Sequence, residues 1–562
     1  MESLGILMVL PLLNLSLNPD SSSLNHHVVA IIEDYFSVFG IEITFINSLI
    51  VIILLFFMKG LFIFGSLALT HIYRARLSYL LRHSILASYS KIKLGFFLKK
   101  TSGDFLNAVT DQTTKTVDTF LYFTKMVSSA SQAIIAILFA FIVAPTSSSA
   151  LLLFAFLAVL FFRSLNKYVG RLSLDLTNET GKLSAIVIQY FSAFKYFVAT
   201  HHSDAAINVA NESIEKHSSL IRKIGIASAF TGAIKDPTAI ILLVSMIYIE
   251  IVLLGGYIAT VLVSVVFLYK AWTSVMQLQM AWQYCLEGIG AAYFVKEELE
   301  NADLQIEDHS GIKKIDFEQE IEFKNLSFSH SKSEKIGLHG INLTIKKNQF
   351  TAFVGHSGSG KTTLLDMIAL LHEPSSGDLL VDGVSTKKLS KSDWRKAIGY
   401  VPQQPFIIND TILNNIVFSL NKTSSNISEE VFLKVKEVCK LANIDKIIEA
   451  LPENYNTILS EGGGNISGGQ KQKIAIAREL YKTPKLLIFD EATSALDGKS
   501  EKEVLNALEE LRNSIGIIFV THRLASVKTA DQIYVIDNGR VVEEGTYTSL
   551  SSKSDSYMKV NR

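Results

Sequence analysis

Two kinds of hydrophobic patterning divide the chain. Up to about residue 295 long apolar runs alternate with polar stretches, whereas from about residue 318 onward charged residues recur every few positions. Long apolar runs are typical of helices that span a membrane, and frequent charges are typical of a soluble domain. We therefore predict a transmembrane domain over residues 1–300, a linker over 301–317 and a soluble domain over 318–562.

Six apolar runs in the first part predict six membrane spans. They cover residues 4–17, 41–70, 120–144, 150–162, 238–254 and 258–281, and the last two are joined at Gly255-Gly256. At about 1.5 Å per residue the first run covers roughly 20 Å, which is less than the ~30 Å hydrocarbon core. We therefore expect either that the sequence starts downstream of the natural start or that this protein shortens its first helix.

Basic residues orient these spans. The stretch 71–117 is rich in lysine and arginine, whereas 18–39 contains neither, so the positive-inside rule places 71–117 in the cytoplasm. The long stretch 163–235 is then also cytoplasmic, and the short segment Pro145–Ser149 is predicted to be a turn on the outer side. Inner segments of this length cannot be lipid-exposed coil. We expect the spanning helices to continue well beyond the bilayer.

Composition agrees with a membrane protein. Of the 562 residues, 49% are apolar and only 19% are charged. Lysine plus arginine and aspartate plus glutamate both number 53, so the net charge gives no indication of nucleic-acid binding and we expect no such partner. The two cysteines, Cys285 and Cys439, lie far apart and predict neither a disulfide framework nor a metal cluster.

The soluble domain contains a phosphate-binding loop. The run Gly355-His356-Ser357-Gly358-Ser359-Gly360-Lys361-Thr362 fits the pattern G-x-x-x-x-G-K-[ST]. A buried strand is predicted before it, over Phe350–Val354, and a helix after it, over Thr363–Leu371. Backbone N–H groups of such a loop close on phosphate oxygens, and the helix N-terminus adds partial positive charge. Lys361 is expected to reach the β- and γ-phosphates and Thr362 to bind Mg²⁺.

An acidic pair supplies the chemistry of hydrolysis. The apolar run beginning at Lys485 ends in Asp490 and Glu491. Asp490 is placed to hold Mg²⁺, directly or through water, and Glu491 to polarise the attacking water as a general base.

A second glycine-rich helix start lies at Asn465–Gln470, before a helix predicted over Lys471–Tyr481. It predicts a second anion site. One chain has little use for two such sites on one nucleotide, whereas two chains that face each other could use both.

In order and spacing these motifs resemble those of ATP-binding cassette (ABC) transporters, and six spans followed by a cassette resemble their exporter half-transporters. The resemblance implies an α-helical transmembrane bundle with long cytoplasmic helix extensions, followed by an α/β P-loop ATPase domain that binds ATP and Mg²⁺. It also implies that Thr101–Leu106 is the first coupling-helix region, with the second near Ala199–Ala205.

The resemblance assigns a role to each motif residue. It implies that Glu491 and His522 are catalytic, that His522 contacts the γ-phosphate, and that Asp497 belongs to the D-loop Ser494–Asp497. Gln403 resembles the Q-loop glutamine, so the implied metal set is Thr362, Gln403 and Asp490. The implied nucleotide-binding set is His330, Gly355, His356, Ser357, Gly358, Ser359, Gly360, Lys361, Thr362, Thr363, Gln403, Ser467, Gly468, Gly469, Gln470 and Asp497.

The chain departs from the family pattern at four positions. His330 stands where a tyrosine usually stacks on adenine, and Asn348 where a glycine usually closes the turn before the phosphate-loop strand. Ser460 replaces a glycine, and Ile466 replaces the leucine of the signature motif. None of these positions takes part in hydrolysis. A chain with every catalytic part is expected to form a homodimer with two working sites.

The function implied is ATP-driven export or flipping of a lipid, a lipid-linked oligosaccharide, a peptide or an amphiphilic drug by alternating access of the dimer. The alternatives are an importer or a non-transporting ATPase that regulates a membrane partner. We expect an integral protein of a bacterial inner membrane, with its nucleotide-binding domain in the cytoplasm. Lys59 and Lys270 lie within apolar runs, where they either line a cavity that accepts an anionic group or form ion pairs within the bundle.

Overall fold

A computed structural model describes residues 44–143, 145–253, 258–307, 311, 317–329, 337–418, 428–493, 496–512 and 514–553. The chain divides into two compact units, residues 1–306 and 307–562. The first predicted span, the Gly255-Gly256 joint and the side chain of His330 lie outside the described residues.

The described part of the first unit is helical. Its α-helices are α1 (Phe45–Tyr89), α2 (Leu94–Phe97), α3 (Ser102–Asn107), α4 (Thr113–Val143), α5 (Pro145–Ser192), α6 (Phe194–Ala199), α7 (Ser203–Tyr248) and α8 (Ile258–Leu304). One π-helical turn, Ala108–Gln112, joins α3 to α4, and another, Ile249–Leu253, follows α7. The long helices confirm that the spans continue beyond a bilayer, because 45 residues at about 1.5 Å each extend far past its ~30 Å core.

Within the described residues, four helical stretches are long and apolar enough to cross a membrane: Ile46–Tyr89, Ser102–Ile142, Leu151–Ser192 and Ser203–Tyr248. They contain most of the second to fifth predicted spans, and α8 contains the sixth. Large apolar side chains of α1 point outward, including Phe57 at 68% and Phe64 at 73% exposure. An outward apolar surface is what a helix in lipid requires.

Two local predictions in this unit are wrong. The segment Pro145–Ser149 is the first turn of α5 and not an irregular turn. Proline is compatible with the first turn of a helix, because the N–H groups there have no partner within the helix. Thr101–Leu106 is the start of a long helix, capped by Thr101, and the connection from α1 lies earlier, over residues 90–101, around α2.

Small residues allow the helices to pack closely. Ala136 and Ala140 of α4 are buried with Leu151 of α5 and with Phe267 and Ala271 of α8. Farther along, a Cβ on Gly290 of α8 would come within 2.6 Å of the carbonyl oxygen of Ser173. The close approach of α5 and α8 therefore requires glycine at that position.

The second unit is built on two sheets. The strands are β1 (Glu320–Ser329), β2 (Gly337–Lys346), β3 (Phe350–Val354), β4 (Ser376–Val381), β5 (Val384–Ser385), β6 (Ile398–Val401), β7 (Leu486–Asp490), β8 (Gly516–Thr521), β9 (Gln532–Asp537) and β10 (Arg540–Gly545). An antiparallel sheet has the order β2-β1-β4-β5. The larger sheet has the order β10-β9-β3-β8-β7-β6, and all of its pairs except β10-β9 are parallel.

Helices cover the larger sheet. They are α9 (Lys361–Ile368), α10 (Lys391–Ala397), α11 (Ile412–Val417), α12 (Glu429–Leu441), α13 (Asp445–Glu449), α14 (Gly468–Tyr481), α15 (Gly498–Leu511) and α16 (Tyr547–Lys553). Strand β3 is buried on both faces: Phe350, Ala352 and Val354 belong to one apolar cluster and Phe353 to another. Burial on both faces is typical of parallel strands. This unit confirms the predicted α/β fold.

Candidate active site

The order of the parallel strands brings four distant loops to one edge of the sheet. Strands β3, β8, β7 and β6 are neighbours in that order. Their carboxyl ends lead into the phosphate loop, His522, the acidic pair and Gln403, respectively. The carboxyl edge of a parallel sheet is where ligands bind in such folds. Residues predicted separately from the sequence are therefore collected at a common edge.

The phosphate loop has the backbone that its glycines permit. Gly358 and Gly360 have φ angles of 77° and 106°, values that side-chain-bearing residues rarely adopt. Helix α9 begins immediately after Gly360. The Nζ of Lys361 donates hydrogen bonds of 2.9 Å to the carbonyl of Gly355 and 2.8 Å to that of His356. Burial lowers the pKa of Lys361, while Glu491 and Asp490 oppose that shift.

Oxygen atoms suited to Mg²⁺ meet beside this loop. The hydroxyl of Thr362 lies 3.4 Å from one carboxylate oxygen of Asp490, and the hydroxyl of Tyr400 donates a 3.0 Å hydrogen bond to the other. Burial raises the pKa of Asp490, and the hydrogen bond from Tyr400 opposes that increase. Hydroxyl and carboxylate oxygens are the hard donors that Mg²⁺ prefers, so these residues fit the ion.

Glu491 occupies a strained position at the centre of the site. Its φ angle is 48°, in the left-handed region that costs a residue other than glycine about 1 kcal/mol or more. Its backbone N–H donates to the carbonyl of Val520 on β8. One side-chain oxygen accepts a 3.0 Å hydrogen bond from Nε2 of Gln403, and the other lies 3.9 Å from Nδ1 of His522. The structure thus brings together the predicted base, the glutamine and the histidine.

The signature segment forms a capped helix start on a separate element. The Ser467 hydroxyl accepts a hydrogen bond from the N–H of Gln470, whose side chain accepts one from the N–H of Ser467. This reciprocal pair is a capping box. Helix α14 begins at Gly468, earlier than predicted, and Ser467 and Gly468 are exposed. Within the described residues, the hydrogen bonds of Ser467 and Gln470 stay inside this helix start.

Asp497 caps α15, accepting a hydrogen bond from the N–H of Ser500. Hydrogen bonding to Ser500 lowers the pKa of Asp497. The neighbouring D-loop residues Ser494 and Ala495, like His330, lie outside the described residues. Asn348, which replaces a glycine of the family pattern, has a φ angle of 57°, a value that asparagine adopts more readily than most residues other than glycine.

A buried carboxylate that sequence reasoning missed supports the histidine loop. Glu501 accepts hydrogen bonds from Thr493 at 2.8 Å, from Ser526 at 2.7 Å and from Arg523 at 3.3 Å. These partners lie after the acidic pair and next to His522. An acid on an amphipathic helix is typical of a solvated face, so the sequence carried no signal for this network. Tyr400 was also missed, although it stands just before the glutamine motif.

The two lysines predicted for a substrate cavity belong to the first unit. Lys59 is half-buried on α1, with its Nζ 5.5 Å from the centre of the Phe56 ring. Lys270 is half-buried on α8. Neither lines the cavity of about 570 Å³ that lies between α5 and α8.

Comparison with known proteins defines the class. Two family models match the chain, "ABC transporter transmembrane region" over residues 4–278 and "ABC transporter" over residues 338–494. The ATP-dependent lipid A-core flippase of Haemophilus influenzae is 31% identical over 407 residues, which are 70% of this chain and 67% of that protein. The chain belongs to the ABC transporter family, with the transmembrane region and the ATP-binding cassette fused in that order.

Two other relatives match this chain over only a small part of their own length. The leptomycin B resistance protein pmd1 of Schizosaccharomyces pombe is 42% identical over 241 residues, 43% of this chain and 17% of that protein. The human ATP-binding cassette sub-family B member 5 is 38% identical over 284 residues, 50% of this chain and 22% of that protein. The chain thus spans about a fifth of the length of these two relatives.

One solved structure confirms the fold. A bacterial Atm1-family ABC exporter with ATP bound superposes with a TM-score of 0.83 at 20% sequence identity. The match covers 100% of this chain and 96% of that one.

Proposed function

We propose that this chain is an ATPase that drives the export or flipping of a lipid-like or amphiphilic substrate across a membrane, working as a dimer by alternating access. The observation that carries the proposal is the meeting of Glu491, Gln403 and His522 beside Lys361 and the Thr362–Asp490 pair, in one chain with membrane-spanning helices. Such an arrangement has the parts needed to bind and hydrolyse a nucleoside triphosphate.

Each residue has a distinct task in that reaction. Backbone N–H groups of residues 355–360 and the Lys361 ammonium bind the phosphates of ATP. Thr362, Asp490 and Gln403 would hold Mg²⁺, which neutralises charge on the phosphates when bound. Glu491 accepts a proton from the attacking water, and the hydrogen bond from Gln403 orients its carboxylate for that step. His522 lies on the other side of that carboxylate and is placed to contact the γ-phosphate.

The exposed signature helix supports a dimer. The exposed N-terminus of α14, with Ser467 and Gly468 on the surface, is available to the γ-phosphate of ATP bound to a second copy. ATP shared between two chains binds the closed pair more tightly than the open pair, and only such differential affinity moves a conformational equilibrium. Closure would turn the spans from inward-open to outward-open. For the two domains we keep the predicted limits, residues 1–300 for the transmembrane domain and residues 318–562 for the ATP-binding domain.

The fused layout and the relatives support the proposed substrate class. The relatives include a lipid A-core flippase and a leptomycin B resistance protein, which favour lipids and amphiphilic drugs over other cargo. The bacterial flippases also favour a bacterial inner membrane. An importer or a regulatory ATPase is the rival, and no contact of the described residues favours either.

The test is ATP hydrolysis by the full chain in proteoliposomes, with lipid-linked oligosaccharides, peptides and amphiphilic drugs added in turn. We expect at least one class to stimulate hydrolysis and to move in an ATP-dependent way in inverted vesicles. A flat response across the panel would favour the regulatory ATPase. Movement in the opposite direction would favour the importer.

A further inference from the structure

A cavity in the first unit has an apolar end and a basic end. It lies between α5 and α8 and measures about 570 Å³. Its apolar wall consists of Ala158, Val159, Phe162, Val275, Met276 and Leu278. Its other end is lined by Arg163, Asn166, Lys167 and Gly170 of α5 and by Gln279, Trp282 and Leu286 of α8. An apolar chamber of this size with a few polar groups at one end is typical of a small-molecule site.

The basic end is arranged for a negative group. Arg163 and Lys167 are exposed and stand one turn apart on the same face of α5. Like charges at this spacing destabilise a helix. Among the residues that the structure describes, neither forms an ion pair with an acidic side chain. A bound anion would remove the repulsion between them.

Two amides keep this end polar and fixed. Asn166 and Gln279 exchange reciprocal hydrogen bonds of 3.2 and 2.9 Å across the gap between α5 and α8. The pair joins the helices at the basic end itself, because Asn166 stands between Arg163 and Lys167 on α5. These two hydrogen bonds hold α5 and α8 together at the cavity without requiring a ligand.

The apolar and basic parts of the cavity follow the same order as the hydrocarbon and head-group layers of the inner leaflet of a membrane. Arg163 lies about 27 Å along α5 from Pro145, near the end of a ~30 Å hydrocarbon core. The apolar wall on α5, residues 158–162, lies on the hydrocarbon side of that level, and Arg163 and Lys167 lie at the head-group level. Trp282, which is 46% exposed, is a residue type enriched at that interface.

We propose that this cavity binds an amphiphile with an anionic head group, with the phosphate or carboxylate against Arg163 and Lys167 and the tail against the apolar wall. This inference rests on the proposed function, because it names the class of substrate. The tail supplies most of the affinity through apolar burial, and the two cations select for negative charge.

Binding is measured without ATP on the full chain in nanodiscs, through quenching of tryptophan fluorescence by a bromine-labelled fatty acid. The chain has three tryptophans, and Trp282 is the one that lines the cavity. We expect saturable quenching that is lost in Trp282→Phe. Arg163→Gln and Lys167→Gln should each raise the Kd about tenfold, since each removes one charge-assisted contact.

Arg171→Gln is the matched control, because it removes an exposed charge from the same helix one turn beyond Lys167 and outside the cavity. Its Kd should stay at the wild-type value. The charge-reversed double variant Arg163→Glu/Lys167→Glu should lose the fatty acid and gain a bromine-labelled alkylamine. That gain cannot result from misfolding, so it keeps the test decisive even where the neutral variants lose stability.

Three results would overturn the proposal. Equal quenching by brominated phosphatidylcholine, unchanged in the charge variants, would show ordinary contact with surrounding lipid. Displacement of the fatty acid by inorganic phosphate alone would show a site for free anions. Wild-type ATP-driven transport in a double variant that no longer binds the fatty acid would overturn this inference and leave the proposed export function standing. Tight binding with no ATP-driven movement of any probe would instead contradict the export function.

Discussion

Glu491 accepts a 3.0 Å hydrogen bond from the side-chain amide of Gln403, although 88 residues separate them in the chain. Strands β6 and β7 are neighbours, so the loop after one reaches the acid at the end of the other. A neutral amide donor orients the carboxylate without supplying a proton to it, which suits a general base. The proposed Mg²⁺ ligand Gln403 and the proposed general base Glu491 are therefore in direct contact.

Replacement of Glu491 by glutamine is expected to abolish hydrolysis while retaining ATP binding. The amide has the same shape but cannot accept a proton, so turnover should fall by at least about a hundredfold. Phosphate release gives the rate, and a fluorescent ATP analogue gives the affinity. Glu453→Gln, an exposed position far from the strand edge in sequence, is the control. Wild-type hydrolysis by Glu491→Gln would show that another group is the base.

The pH dependence of activity should depend on Tyr400. Its hydroxyl donates to Asp490 and favours the charged form of a carboxylate whose pKa is raised by burial. In Tyr400→Phe that donor is lost, so the pKa of Asp490 rises further. Activity requires the carboxylate, and the acid limb of the rate profile should therefore move to higher pH. Hydrolysis is measured across a pH series at saturating ATP and Mg²⁺.

Tyr481→Phe is the control for this prediction, because Tyr481 lies at the end of α14 and has no contact with Asp490. Its profile should match that of the wild type. An acid limb that moves to lower pH in Tyr400→Phe would contradict the assigned direction.

Much of this site could be predicted from the sequence because its motifs are local. The phosphate loop fixes its own strand and helix, and the predicted strand Phe350–Val354 matches the observed bounds. The acid pair likewise ends its strand as expected, since Asp490 is the last residue of β7. In these segments the spacing of residues determines the backbone, so no distant contact has to be known.

The spacing of residues alone could not predict the contacts between motifs, because strand order determines them, and only the family resemblance grouped Thr362 with Asp490. Tyr400 and Asp490 are 90 residues apart, and Thr362 and Asp490 are 128 apart. The predicted turn at Pro145–Ser149, where α5 begins, was wrong for a different reason. A proline followed by serine and threonine is equally typical of a turn and of a first helical turn, and the residues that follow decide between them.

Glu501 is predicted to position the histidine loop without touching the nucleotide. Its carboxylate joins Thr493, Ser526 and Arg523, and Arg523 adjoins His522. In Glu501→Gln an amide faces the guanidinium, and the loop should shift. We expect kcat to fall between about tenfold and a hundredfold, because small displacements of a catalytic group are costly, with little change in the KM for ATP.

Glu510→Gln, on an exposed position of the same helix, is the matched control and should retain wild-type kcat. The conservative Glu501→Asp should restore part of the rate, because it keeps the charge opposite Arg523. A parallel rise in KM, or a loss of rate explained by a lower melting temperature, would indicate that Glu501 only stabilises the fold.

Arg478 is expected to stabilise the unit that carries the site. It is buried on α14, where its guanidinium donates to the carbonyls of Asn415 and Phe406 and to the Asn415 side chain. The planar group satisfies three acceptors at once, which a lysine ammonium at the same depth cannot match. Arg478→Lys should therefore cost about 2–4 kcal/mol and lower the Tm by roughly 5–10 °C, measured by scanning fluorimetry of the full chain. Arg540→Lys, an exposed position on β10, should leave the Tm unchanged. If both variants had the wild-type Tm, the three hydrogen bonds would contribute nothing to stability. The acceptors that lose the Arg478 donors would then have to be satisfied by water.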